Sequence, residues 1–182
     1  MTNIALATWR RLLAYTDSPD PRVAASNWVS VLVAMNQPFY PLYVWAIVGW
    51  DGGASLVTFL STPFFAAIPS VARRHPLWGR ALLPLVGAAN TMLTAKAVGS
   101  ASGVELFLFP CAMSGALAFR AFERKAMIAT LVALFTAYLA LHDRMGPPLH
   151  VFSAEGYARF LTMNIYSVAG LTFLIAWQFS AE

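Results

Sequence analysis

Apolar residues in this chain fall into six blocks, at 28–49, 54–71, 81–99, 103–119, 126–141 and 160–179. None of them alternates strictly between apolar and polar positions, as a lipid-facing strand would. Each is close to the 17–25 residues with which an α-helix crosses a bilayer. Backbone groups in hydrocarbon must be bonded within their own segment, which favours helices over any open sheet. The pattern predicts an all-α, polytopic integral membrane protein with six transmembrane helices.

The links between blocks refine this picture. The segments 50–53 and 100–102 are short enough to make the first two pairs of spans helical hairpins. The longest connection, from His142 to Arg159, carries Gly146, Pro147 and Pro148. Ahead of the first block, Leu6, Trp9, Leu12 and Leu13 share roughly one helical face, with Arg10 and Arg11 beside it. That arrangement suits an amphipathic helix lying on the membrane surface. It lacks the basic start, continuous apolar stretch and small-residue cleavage site of a signal peptide. Tyr15 to Pro21, with two prolines and two aspartates, breaks this helix before the first span. The division expected is an interfacial N-terminal segment, 1–26, and a membrane domain, 27–182.

Composition agrees with a bilayer environment. The chain is 59% hydrophobic and 11% charged, against roughly 45–50% and about 25% in a soluble domain. Its 182 residues leave little beyond six short helices, tight loops and two tails. The net charge of +4 is not a nucleic-acid footprint, because the basic residues sit in short loops beside apolar spans. Arg10, Arg11, Arg22, Arg73, Arg74, Arg80, Arg120, Arg124 and Lys125 fall on one side of the ladder, leaving only Lys96, Arg144 and Arg159 for the other. By the positive-inside rule both termini face the cytoplasm. A multi-pass protein of a bacterial inner membrane is the corresponding location.

Candidate chemistry is sparse. A lone Cys111 excludes an intramolecular disulfide. Histidines occur only at His75, His142 and His150, none of them inside a span, so no membrane haem pair is expected. His142, Asp143 and His150 could at most hold a surface metal. Ser114-Gly115 has no histidine in a later span to act as its base, and close helix packing through small residues accounts for it better. No cofactor and no enzymatic activity are expected. Lys96 and Glu105, at the outer ends of the third and fourth spans, are close enough for an ion pair. The buried amides are more informative: Asn36 and Gln37 lie mid-way along the first span, Asn90 in the third and Asn164 in the sixth. Interhelical hydrogen bonding is one use for them. The other is a polar cavity for a small amphipathic ligand, opened where Pro38, Pro41, Pro63, Pro69, Pro84 and Pro110 free backbone carbonyls. Asn36, Asn90, Glu105 and Asn164 are the residues expected to line it.

Residues 81–182 resemble a known family. The similarity is carried by Asn90-Thr91, Gly99, the run Ser102-Gly103-Val104-Glu105-Leu106-Phe107-Leu108-Phe109-Pro110, then Phe119-Arg-Ala-Phe-Glu-Arg-Lys125, Asn164, and the ending Ser180-Ala181-Glu182. These resemble the six-helix N-terminal membrane domains of bacterial class III adenylate and guanylate cyclases, with related domains on sensor kinases. The resemblance implies a membrane anchor and receptor that forms a homodimer and couples its last helix to a cytoplasmic output domain. It implies no activity for the residues present, which are either an excised membrane portion or a stand-alone member. Two other readings stay open. One is a small oligomeric transporter or channel. The other is an accessory subunit of a larger complex that holds a pigment, quinone or lipid.

Overall fold

A computed structural model describes residues 2–180, and the side chains of all of these except 2–4, 50 and 51. Met1 of the N-terminal segment, and Ala181 and Glu182 of the expected junction to an output helix, lie outside the described residues. Every regular element within the described residues is helical. The α-helices are α1 (Thr2–Thr16), α2 (Pro21–Asn36), α3 (Phe39–Val48), α4 (Thr62–Arg74), α5 (Pro76–Val98), α6 (Leu108–Leu117), α7 (Arg124–Leu141) and α8 (Ala154–Ser180).

The turn signals act where the sequence places them. Asp20 caps α2 by accepting from the Arg22 amide at 3.1 Å, with Pro21 in the first helical turn, a position where a missing N–H costs nothing. Pro38 and Pro41 cannot donate to the carbonyls four residues earlier. The chain accordingly bends by 45° between α2 and α3.

The following stretch departs from expectation. A link at 50–53 and an α-helix from 54 were predicted, but Gly49–Ser61 is one continuous 3₁₀-helix of 13 residues. Such runs rarely exceed three or four residues. Here a second ladder reinforces the backbone. Ser55 Oγ donates to the Gly52 carbonyl at 2.6 Å, Thr58 Oγ1 to Ser55 at 2.9 Å, and Ser61 Oγ lies 2.8 Å from the Thr58 carbonyl. Three residues per turn puts these hydroxyls in line, and all three are buried. α4 begins immediately afterwards, with Pro63 in its first turn.

α5 is the central helix, packed against α2, α4, α6, α7 and the 3₁₀ segment. Its approach to α4 is close: a Cβ on Gly79 would lie 2.3 Å from Ala72 Cβ. After α5 the chain reverses through a short 3₁₀ turn, Ser100–Ser102. Gly99 (φ 87°) and Gly103 (φ 74°) flank it in backbone conformations that a side chain would strain. A second 3₁₀ turn, Val104–Phe107, leads into α6.

The connection between α7 and α8 is shorter than the predicted 142–159, because α8 already starts at Ala154. It is pinned to the end of α5. The amides of Leu149 and His150 donate to the carbonyls of Lys96 and Ala97, while Lys96 Nζ donates at 2.7 Å to the carbonyls of Met145 and Pro147. With its ammonium held there, Lys96 does not form the expected ion pair with Glu105. Glu105 instead accepts from Ser100 Oγ at 2.6 Å and lies 2.8 Å from His142 Nδ1.

Four helices, 52–74, 76–98, 121–141 and 154–180, are long and apolar enough to cross a membrane, and the bent pair α2–α3 makes a fifth candidate. A shorter apolar helix occupies 104–117. Several helices of this kind in one chain are those of a membrane protein. Two apolar clusters hold them together. Near one end Val29, Phe65, Ile68, Leu83, Phe119 and Phe179 pack together. Near the other, Val44, Met92, Val98, Val104, Phe152 and Phe160 do so.

Candidate ligand-binding site

Between these two clusters lies a cavity of about 470 Å³, walled by α2, α3, the 3₁₀ segment, α4, α5, α6 and α8. That volume is within the range of small-molecule sites. Its apolar wall includes Val29, Val33, Phe65, Leu83, Phe107 and Leu171. The polar atoms come from Asn36, Gln37, Tyr40, Tyr43, Thr58, Asn90, Thr91, Thr94, Ser114 and Ser167. Among the described residues no Asp, Glu, Lys, Arg or His side chain lines it.

Most of these hydroxyls are already committed to their own helices. Thr91 Oγ1 donates to the Gly87 carbonyl at 2.9 Å, Thr94 Oγ1 to Asn90 at 2.7 Å, Ser114 Oγ to Cys111 at 2.9 Å and Ser167 Oγ to Met163 at 2.9 Å. The amides differ. Ser61 Oγ joins two of them, lying 2.9 Å from Gln37 Nε2 and 2.8 Å from Asn90 Oδ1. Each amide spends only one end on that contact. Gln37 Oε1 and Asn90 Nδ2 have no hydrogen-bond partner among the described residues.

The four residues expected from the sequence therefore part company. Asn90 lines the cavity and belongs to its polar cluster. Asn36 also lines it, but from an exposed position at the rim. Asn164 is fully buried behind the wall, donating through Nδ2 to the Ser102 carbonyl at 2.9 Å and facing the Tyr40 hydroxyl at 3.5 Å. Glu105 is not at the cavity. It belongs to the end where α7 stops and α8 begins, where His142 Nε2 also lies 3.2 Å from Asp143. His150 packs against the Phe152 ring at 4.5 Å instead of joining that pair. Among the described residues no three His, Cys, Asp or Glu side chains come together as a metal site would need.

Gln37 stands among the buried amides expected from the sequence, but not among the four residues expected to line the cavity. It follows Val29 and Val33 at intervals of four, on the stripe that faces the core, while Asn36 is rotated about 100° away. The hydroxyls of Ser55, Thr58 and Ser61 carry a similar signal, a spacing of three that matches a 3₁₀-helix. Tight packing also shapes the site. A Cβ on Gly87 would lie 2.6 Å from Cys111 Sγ, whereas one on Gly170 would meet nothing within 4 Å.

At the end where α2 begins and α8 stops, several of the basic residues are tied down. Arg80 is buried and makes a bidentate pair with Glu123, at 2.7 and 2.5 Å, and also donates to the Ala118 carbonyl at 2.8 Å. Arg120 pairs with Asp20 at 3.0 Å, and Arg22 donates to the Phe119 carbonyl. Arg73 donates to the Tyr15 carbonyl and stacks over the Tyr15 ring, which fixes the end of α1 against α4.

No family model, curated protein or solved structure matches the chain.

Proposed function

We propose that the chain is a non-enzymatic sensory or anchoring domain of a bacterial inner membrane. It crosses six times, with α2–α3, 52–74, 76–98, 104–117, 121–141 and 154–180 as spans and both termini in the cytoplasm. A small ligand occupies the central cavity, and its presence is passed through α8 to a cytoplasmic output module of the kind that class III cyclases or sensor kinases carry. One observation supports this reading above others: α8 walls the cavity with Ser167, Gly170 and Leu171 while its Phe179 packs in the cluster next to the basic end. A helix that touches a ligand at mid-length and the output side at its end can be shifted by differential binding to two packings.

The basic residues support the orientation. Arg22, Arg73, Arg80 and Arg120 all meet carbonyls or acids at the end where α8 stops, and in short loops such residues stay on the cytoplasmic side. Cysteines introduced at positions 74 and 146, in a Cys111→Ser background, test it. Labelling of intact cells by an impermeant maleimide is expected at 146 and not at 74, and the opposite result sinks the orientation. For transmission, the domain is joined to a cyclase catalytic domain and Gly170 is replaced by Phe. Output unaffected by filling the cavity would refute the coupling.

A second reading, an accessory subunit seated against another chain, rests on α7 and α8. They are the least covered spans, with 11% and 17% of their apolar windows buried against 56% for α5. Stoichiometric recovery of a partner chain after mild solubilisation would favour it over a solitary sensor.

A further inference from the structure

The chemistry of the occupant can be taken further, on the premise that the cavity is the sensory site. We infer that it receives an uncharged single-chain amphiphile, entering sideways from the hydrocarbon. The chain packs on the apolar wall, and a small head with one donor and one acceptor, such as a hydroxyl, is held by Gln37 and Asn90.

Three observations carry this. The first is the position of the opening. Asn36, Tyr43 and Gly170 are the exposed members of the lining, and they sit on the α2–α3 bend and the facing stretch of α8. Both places are near the middle of their spans, so the mouth faces acyl chains and not water. A ligand dissolved in the bilayer reaches it without crossing a polar interface.

The second is the absence of charge. With no ionised side chain among the described residues of the lining, a carboxylate or ammonium would be buried unpaired, which is heavily unfavourable in a medium of low dielectric constant. Phosphate-bearing lipids are rejected on the same ground.

The third is the unused valence of the amides. Gln37 is only 5% exposed, yet its Oε1 accepts nothing among the described residues. Asn90 Nδ2 donates to nothing among them. Both amides contact the same Ser61 Oγ, so their free ends belong to one polar cluster. A hydroxyl that reaches both would donate to Gln37 Oε1 and accept from Asn90 Nδ2. The site thus favours a group that both donates and accepts a hydrogen bond over an ether or a bare alkyl chain.

Binding of radiolabelled 1-monopalmitoylglycerol to the protein in nanodiscs tests the inference, with palmitate and hexadecyltrimethylammonium as charged competitors. The neutral compound is expected to bind, and each charged chain to compete at least tenfold more weakly. Gln37→Leu and Asn90→Leu should each weaken binding about fivefold to tenfold, the loss of one buried hydrogen bond. Gly170→Phe, which adds a ring at the exposed rim where a Cβ meets nothing within 4 Å, should abolish it, with an unchanged melting temperature showing that the variant keeps the fold. Gly170→Ala should bind as the parent does. Equal binding of either charged chain would overturn the inference, and so would binding that survives Gly170→Phe. If the neutral chain binds but α8 does not move, measured by spin-label distances between positions 180 and 125, the sensory reading fails while the site stands. If α8 moves only with a water-soluble compound and no chain binds, the site assignment fails and transmission stands.

Discussion

The basic end of the molecule and its middle handle polar groups in opposite ways. At the end, the buried charge is matched: Arg80 meets both oxygens of Glu123 and a carbonyl, and the half-exposed Arg120 meets Asp20. In the middle, the groups are neutral and their bonding is incomplete. A saturated network fixes geometry, because any rearrangement leaves a buried charge unpaired. An unsaturated neutral one tolerates two states, empty and filled, at modest cost. The contrast separates a clamp from a site without reference to residue type.

Substitutions can break that contrast, the largest effect first. Arg80→Ala strands Glu123 and the Ala118 carbonyl, and should destabilise the protein by about 3–5 kcal/mol, read as thermal unfolding in nanodiscs. A loss under about 1 kcal/mol would mean that the clamp does not hold the helices. Next come the two glycines. Gly79→Ala drives a methyl into α4 and should cost about 2 kcal/mol, while Gly170→Ala should stabilise by up to about 1 kcal/mol through helix propensity alone. Similar shifts for both in one melting series would erase the distinction between packed and open regions.

Asn164→Leu should cost about 1–2 kcal/mol, since it strands the buried Ser102 carbonyl. Gln37→Leu should change stability by less than about 1 kcal/mol, because Ser61 keeps the Thr58 carbonyl and Asn90 as neighbours. Gln37→Leu as damaging as Asn164→Leu, by the same unfolding measurement, would show that Gln37 is glue and not a binding group.

The apolar blocks gave away the helical class, and the prolines at 38 and 41 gave away the bend. What was less legible is instructive. The third and sixth blocks were drawn short because Pro76-Leu-Trp-Gly-Arg and Ala154-Glu-Gly-Tyr-Ala-Arg mix polar and apolar residues, yet both are helical. Arg80 sits inside the first of these and is buried, which hydropathy alone cannot anticipate; only its partner Glu123, 43 residues on, makes that tenable. The Lys96–Glu105 pair does not form for the converse reason, since backbone carbonyls of the connection between α7 and α8 supply what a carboxylate would have. Of the site, Asn90 was visible as an amide within an apolar block. Gln37 and Asn36 could be told apart only by helical phase, and Glu105 was drawn in by its charge although its contacts are with Ser100 and His142.

The long 3₁₀ segment has a mechanical side. At about 2.0 Å per residue its 13 residues span roughly 26 Å, where α-winding would span about 20 Å. Retwisting would shorten this strut by about 6 Å and swing Ser55, Thr58 and Ser61 apart around the axis, dispersing the row of hydroxyls that ends at the cavity. The length of the strut and the alignment of its hydroxyls thereby depend on a single coordinate: how tightly this one stretch of chain is wound.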